Sequence, residues 1–159
     1  MWRSLLIALL SVGCADGETP FEKMLPSMES ILLAMEREPS IKAMTESRGG
    51  MRSVWLQEGS KGMSHEVQAG SDQRSDLPLE AEWLRTSRIE PAAFATIADV
   101  LDRSAIEAVR RERGCTWFLT GGWIDDHVGF ARCGADAMPD AWVLEKYGGG
   151  WYRYSTVVN

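Results

Sequence analysis

The chain has 159 residues, of which 45% are hydrophobic and 25% charged, and its formal net charge is −6. That length supports one domain with a real core and is marginal for two. The negative balance repels a phosphate backbone, and no basic stripe is interleaved with aromatics, which argues against nucleic-acid binding. Arg110, Arg111 and Arg113 form a short basic cluster, but Glu107 and Glu112 dilute it. Four of the seven tryptophans (Trp117, Trp123, Trp142 and Trp151) fall in the last third. Large aromatics of this kind read first as core and sheet-face packing, and second as a binding surface.

Met1-Trp2-Arg3 supplies a positive charge, and Leu5-Leu6-Ile7-Ala8-Leu9-Leu10 supplies a short apolar run. The run falls well below the roughly 20 residues that span a bilayer. A charged start, a short apolar core and then small residues are the layout of a secretory signal peptide. The end of the segment, Leu10-Ser11-Val12-Gly13-Cys14, resembles a bacterial lipoprotein signal. In that class a small residue precedes a cysteine that is diacylated and becomes the new N-terminus. Gly13 and Cys14 fit this layout, whereas Ser11 replaces the usual aliphatic residue. The resemblance covers residues 1–14 and implies lipidation of Cys14, with the membrane as the first partner. Two acyl chains on one residue anchor stably. In a Gram-negative cell, Ala15 lacks the aspartate that retains such proteins in the inner membrane, which implies the outer membrane. Two alternatives stay open: ordinary cleavage after Ala15, and a cytosolic chain whose apolar start is a helix. Cysteine arithmetic supports export, because removal of Cys14 leaves Cys115 and Cys133 as one pair. A persistent disulfide needs an oxidising compartment such as the periplasm.

Residues 15–20 read as a tether. Thr19-Pro20-Phe21-Glu22 has capping-box spacing with proline at the first helical position. Apolar residues then recur at Phe21, Met24, Leu25, Met28, Leu32 and Met35, the pattern of an amphipathic helix. Pro26 lacks an N–H, so the sequence predicts a short first turn followed by a helix over 26–38. Pro39 ends that helix, and Ser40 would cap a shorter one through Met44. Met24, Met28, Met35 and Met44 read as core, with a Met-rich partner groove as the alternative. Val54, Trp55 and Leu56 predict a short strand within 51–58. Residues 59–76 are rich in Gly, Ser and Asp, which predicts an exposed loop.

Pro78 opens a short helical run with Leu79, Trp83 and Leu84. Phe94, Ile97, Ala98 and Leu101 predict a helix over 91–102. Ala108-Val109-Arg110-Arg111 reads as a strand turning at Arg113-Gly114. From Cys115 to Cys133, two β-prone runs flank a glycine-bearing turn. Pairing Thr120 with Val128 places Phe118 opposite Phe130 and Cys115 opposite Cys133. Opposed Cβ atoms lie about 4.5–5.5 Å apart in such a pair, near enough for a disulfide after small adjustment. A second hairpin follows, in which Gly148-Gly149-Gly150 joins Trp142–Tyr147 to Trp151–Thr156. Its register sets Glu145 against Arg153 and Tyr147 against Trp151.

Among residues that could carry chemistry, Asp125, Asp126 and His127 in the hairpin turn are the sharpest set. Two carboxylates and an imidazole can hold a cation or act as an acid–base pair. His65 could join them from the loop. The competing reading makes the aspartates turn formers and His127 an exposed strand start. His-Glu-x-x-His spacing, Gly-x-Ser-x-Gly and a phosphate loop are all missing from the sequence. Glu80 and Glu82 read as solvent-facing.

The predicted fold is α+β. N-terminal helices pack on a C-terminal antiparallel sheet of about four strands, made of two hairpins with one disulfide. It is organised as a signal segment (1–14), a helical part (15–58), a flexible loop (59–77) and a helix-plus-sheet part (78–159), the last three in one domain. The predicted function is an exported, lipid-anchored bacterial envelope protein acting as a small binding or structural module. Non-enzymatic action is favoured, no cofactor is required, and an envelope protein is the candidate partner. Trp142, Trp151, Tyr152 and Tyr154 are the candidate binding surface. The alternative is a secreted metal-dependent hydrolase using Asp125, Asp126 and His127.

Overall fold

The structure, a computed structural model, describes residues 19–58, 61–70, 76–123 and 126–156. Cys14 with its signal-like segment, and the turn residue Asp125, lie outside these. The elements in chain order are α1 (Pro20–Arg37), β1 (Ile41–Thr45), β2 (Met51–Glu58), β3 (Lys61–Gln68), α2 (Glu80–Thr86) and α3 (Pro91–Arg103). The second half adds β4 (Ala108–Glu112), β5 (Cys115–Trp123), β6 (Asp126–Cys133), β7 (Trp142–Lys146) and β8 (Trp151–Ser155).

The sheet is twice the expected size. Eight antiparallel strands, rather than about four, form one sheet in the order β3-β2-β1-β4-β5-β6-β8-β7. It draws on both halves of the chain. Two meanders, β1-β2-β3 and β4-β5-β6, are joined through pairing of β1 with β4, with Met44 opposite Val109. Helices α1 and α3 cover one face. Met28, Ile31, Ala34 and Met35 of α1 and Phe94, Ile97 and Leu101 of α3 share a core with Met44, Val54, Val109, Phe118 and Phe130 of the sheet. Each large apolar side chain buried this way contributes about 1.5–3 kcal/mol relative to exposure. The methionines at 28, 35 and 44 are therefore core, in line with the first reading of that stretch.

Three local departures have physical causes. Helix α1 is unbroken, with Pro26 inside it. The Thr19–Glu22 capping box closes its start. Phe21 then clamps the first turn from outside, stacked on Tyr147 at 4.0 Å and set against Phe130 and Trp151 at 5.5 and 5.7 Å. Packing on both sides of Pro26 outweighs one missing hydrogen bond. The helix expected from Ser40 to Met44 is instead β1. Its inward residues, Ile41 and Met44, are three apart because the register against β2 shifts between Ile41 and Ala43. A β-bulge thus mimics a helical spacing. Finally, most of the loop expected over 59–76 is the edge strand β3, paired residue for residue with β2 from Lys61↔Glu58 to Gln68↔Met51. Only its last turn toward the core is apolar, with Val67 buried, so the strand is held by backbone pairing more than by its own side chains.

The two late hairpins match expectation in their essentials. Cys115 pairs with Cys133 and Phe118 with Phe130, and a disulfide links the two cysteines. Glu145 lies opposite Arg153. The Thr120–Val128 pairing is displaced: a register shift between Leu119 and Gly121 sets Gly121 against Val128. In addition, β8 lies between β6 and β7, so the second hairpin joins the first through its second strand.

A charge is buried beneath the helices. Positions 52, 54 and 56 of β2 alternate inward, and the first of them is Arg52, with only 1% of its side chain exposed. Its guanidinium donates to Glu80 Oε2 (3.1 Å), Asp102 Oδ2 (2.6 Å) and the Thr45 carbonyl (2.7 Å). Asp102 also accepts from the Ser47 backbone N–H at 2.9 Å. One side chain thereby ties the start of α2, the end of α3 and the β1–β2 turn to the sheet. Buried charges of this kind are tolerated only when paired on all sides.

Burial raises the Asp102 carboxyl pKa, but the Ser47 N–H and the Arg52 guanidinium outweigh it and hold the pKa below its ordinary 3.8. A depressed folded-state value adds stability above the ordinary value, and that stability is lost as pH falls through the folded one. Asp102→Asn is expected to cost about 1–2 kcal/mol at neutral pH, mainly by leaving Arg52 short of a carboxylate. It should also flatten the loss of stability below about pH 4. Urea unfolding at neutral and acid pH checks both, and an unchanged acid limb would rule out this role for Asp102. The disulfide closes an 18-residue separation. Replacing both cysteines with alanine is expected to lower stability by about 3 kcal/mol in the same assay.

Candidate functional site

The helices leave the other face of the sheet open, and side-chain alternation decides what stands on it. Val109, Phe118, Phe130 and Trp151 point into the helical core. Their neighbours form a second cluster on the opposite side, in which Trp117, Ala131, Tyr152 and Tyr154 gather around the Cys115–Cys133 bridge. Trp117 meets Tyr154 edge-on, with ring centroids 4.8 Å apart. Arg110 lies opposite Trp117 in the β4–β5 register, and its guanidinium carbon sits 5.5 Å from the indole centroid.

These residues border a cavity of about 150 Å³, with Arg110, Trp117, Leu119, His127 and Tyr154 as walls and the small Ala43 and Ala108 among the remaining lining. It shares the lining residues Thr45, Ala108 and Leu119 with a cavity of about 330 Å³ that carries Glu46, Arg48, Glu66 and Glu107. It shares Ala43 and Arg110 with one of about 660 Å³ that reaches Trp55 and Arg113. Trp55 is 47% exposed and lies over Gly62, where a Cβ would stand 2.8 Å from the indole nitrogen.

Among the described residues, three buried ring nitrogens have no hydrogen-bond partner: Trp117 Nε1 and His127 Nδ1, in residues that line the smallest of these cavities, and His65 Nε2, in a residue packed against Trp83 on the helical face. An indole nitrogen can only donate, and a buried donor without a partner costs about 1–3 kcal/mol. His127 is fixed by its backbone, whose N–H donates to Thr156 Oγ1 at 2.6 Å and whose carbonyl accepts from the Thr156 N–H at 2.8 Å. Its direct cross-strand neighbour on β5 is Gly122, which has no side chain to set beside the imidazole. Burial pushes the Tyr154 phenol up to about 12, against a weaker opposing pull from Arg110, so the ring keeps its proton at neutral pH.

Of the residues singled out from the sequence, His127 stands in this cavity. Asp125 lies outside the described residues, and Asp126 opens β6 opposite Trp123. His65 does not join His127; it lies against Trp83 of α2 at 5.3 Å, on the helical face. Among the described residues, no group of three His, Cys, Asp or Glu is placed to hold a metal ion. The four residues read as one aromatic surface divide. Tyr154 borders the cavity, and Tyr152 is buried on the same face. Trp151 belongs to the helical core, whereas Trp142 is 61% exposed on the edge strand β7. Glu80, read as solvent-facing, pairs with Arg52. Arg110 and Trp117 were not tied to a site by the sequence, although the β4–β5 turn at Arg113-Gly114 already implies that they face each other. The chain matches no protein-family model, no curated protein and no solved structure.

One glycine lets Tyr154 pack close against β6. A Cβ at Gly129 would collide with the Phe118 carbonyl oxygen and crowd Tyr154 Oη at 3.2 Å. Tyr154 lies opposite Gly129 in the β6–β8 register, where its ring covers the bare backbone. Gly129→Ala is expected to cost about 1–3 kcal/mol, because backbone, not a mobile side chain, must give way. A lowered urea midpoint checks this, and an unchanged one would show that the strand can shift freely here.

Proposed function

We propose that this chain is an exported, lipid-anchored envelope protein that acts as a binding module through the open face of its sheet. The observation that carries the binding half is the open-face cavity itself, in which the Arg110 guanidinium stands beside the aromatic side chains of Trp117 and Tyr154. Apolar walls with a few polar groups are the usual make-up of a ligand pocket. The location half draws on the Cys115–Cys133 disulfide, which persists in oxidising compartments. It draws equally on the resemblance of residues 1–14 to a lipoprotein signal.

The location is tested by intact mass of the membrane-fraction protein from its native host, before and after reduction. The expected mass lacks residues 1–13, carries a diacylglycerol-sized increment on Cys14 and rises by two protons on reduction. Loss of the leader without the increment would replace the lipid anchor with simple secretion. A full-length chain with free thiols would overturn export altogether.

A further inference from the structure

We propose that the groove between α1 and the row Arg111, Thr116 and Arg132 binds a phosphate monoester. It lies on the helical side of the sheet and is separate from the open-face cavity.

The register builds the row. Arg111 lies opposite Thr116, and Thr116 opposite Arg132, so the three cross β4, β5 and β6 in line. Cys115, Trp117, Ala131 and Cys133 beside them belong to the open face, which turns the row toward the helices. Between this row and Glu29, Leu32, Leu33 and Glu36 of α1 is a cavity of about 700 Å³. Neighbouring strands lie about 4.8 Å apart, so the two arginine Cα atoms stand about 10 Å from each other with the threonine between them.

All three side chains have donors to spare. Arg110 and Arg113 pair with Glu112 and Asp140, whereas Arg111 and Arg132 have no ion pair among the described residues. Arg132 is the fixed donor. Its guanidinium carbon sits 6.0 Å from the Trp151 ring centroid, and its Nη1 donates to the Cys133 carbonyl at 3.0 Å. Gly150 makes room for it, since a Cβ there would collide with Nη1. Arg111 is the mobile donor: it borders this cavity and the one that reaches Trp55, and no carboxylate holds it in either. Thr116 is 6% exposed, and its hydroxyl has no hydrogen-bond partner among the described residues. That oxygen is not among the fully buried orphan atoms, so it opens onto the cavity that the residue lines.

The arrangement selects the anion. One guanidinium fork satisfies both oxygens of a carboxylate. Two forks with a hydroxyl between them suit a tetrahedral group, which offers an oxygen to each and carries charge for both cations. Glu29 and Glu36 stand at exposed positions on the α1 wall, on either side of Leu32 and Leu33. They repel any further negative group, so a single phosphate fits and a polyphosphate or nucleic-acid backbone does not. The remainder of the ligand meets Leu32 and Leu33, the latter 62% exposed.

The test is a titration of the full chain, disulfide oxidised, with inorganic phosphate and with acetate at matched ionic strength, followed by backbone ¹H–¹⁵N NMR. The expected result is a saturable shift of the Thr116 and Gly134 amides with phosphate, weaker by about tenfold or more with acetate. Arg111→Gln and Arg132→Gln should each weaken phosphate by a similar factor. Because Arg132 also packs on Trp151, Thr116→Val, which keeps the shape and removes the hydroxyl, serves as a further variant and should weaken phosphate severalfold. Vesicles of phosphatidylcholine with and without phosphatidic acid distinguish the sources. Extra binding to phosphatidic acid that free phosphate competes away assigns a lipid headgroup; phosphate binding without it assigns a soluble phosphate monoester. Equal shifts with acetate, undiminished phosphate binding in all three variants, or no saturable shift would each overturn the proposal. None of these outcomes bears on the open-face reading, whose residues lie on the other side of the sheet.

Discussion

The register of β5 against β6 is the constraint from which both faces of this sheet follow. Phe118 opposite Phe130 and Cys115 opposite Cys133 are three residues apart along each strand, so the two pairs point to opposite sides. The aromatic pair meets the helices, and the disulfide pins the other face. A slip of one residue would exchange the faces, exposing the phenylalanines and driving the cysteines apart. Neighbouring strands inherit the choice. Pairing of β4 with β5 turns Val109 inward and Arg110 outward; pairing of β8 with β6 turns Trp151 inward and both Tyr152 and Tyr154 outward. The covalent bridge and the hydrophobic core therefore enforce one alignment from two sides.

The register changes by one residue at Thr120, and that irregularity helps shape the cavity. Beyond it, Gly121 and Gly122 lie opposite Val128 and His127, so the two directly paired positions of β5 carry no side chain. The Thr120 hydroxyl caps the break by donating to the Val128 carbonyl at 3.3 Å. Gly129 accepts the close approach of the Phe118 carbonyl, and Tyr154 covers it. Bulges at sheet positions near sites commonly redirect side chains in this way. Here the effect is to leave a gap between large residues rather than to aim one of them.

How much of this was legible in the sequence depended on which forces were local. The capping box at Thr19, the helix over Phe94 to Leu101, both late hairpins and the cysteine pairing are carried by short-range signals, and they read correctly. The misreadings involve partners distant in sequence. Pro26 predicts a break because Phe21's clamp on Tyr147 and Trp151 is invisible from the helix alone. Ser40 reads as the cap of a short helix through Met44, whereas that stretch is a strand whose bulge sets its inward residues Ile41 and Met44 three apart. The stretch from Lys61 to Gln68 predicts a loop because β2 supplies its pairing and its own side chains supply little. Arg52 followed strand alternation inward, but only Glu80 and Asp102, 28 and 50 residues away, make that position tolerable. The candidate site shows the same limit: His127 stood out by residue type, whereas Arg110 and Trp117 acquire meaning only as neighbours across two strands.

Polar groups of the interior are treated unevenly: Arg52 is paired on every side, whereas three buried ring nitrogens have no partner among the described residues. Beneath the helices, Arg52 has three acceptors, and one of them, Asp102, has a further donor of its own. Elsewhere, Trp117 and His127 on the open face and His65 on the helical face each keep a ring nitrogen out of water with no partner among the described residues. His65 shows that an orphaned ring nitrogen by itself marks no site in this fold, since its face is covered by helices. What sets the open face apart is its cavity, where a guanidinium and two aromatic side chains stand together without a helix over them, the combination of apolar walls and few polar groups on which ligand pockets are built.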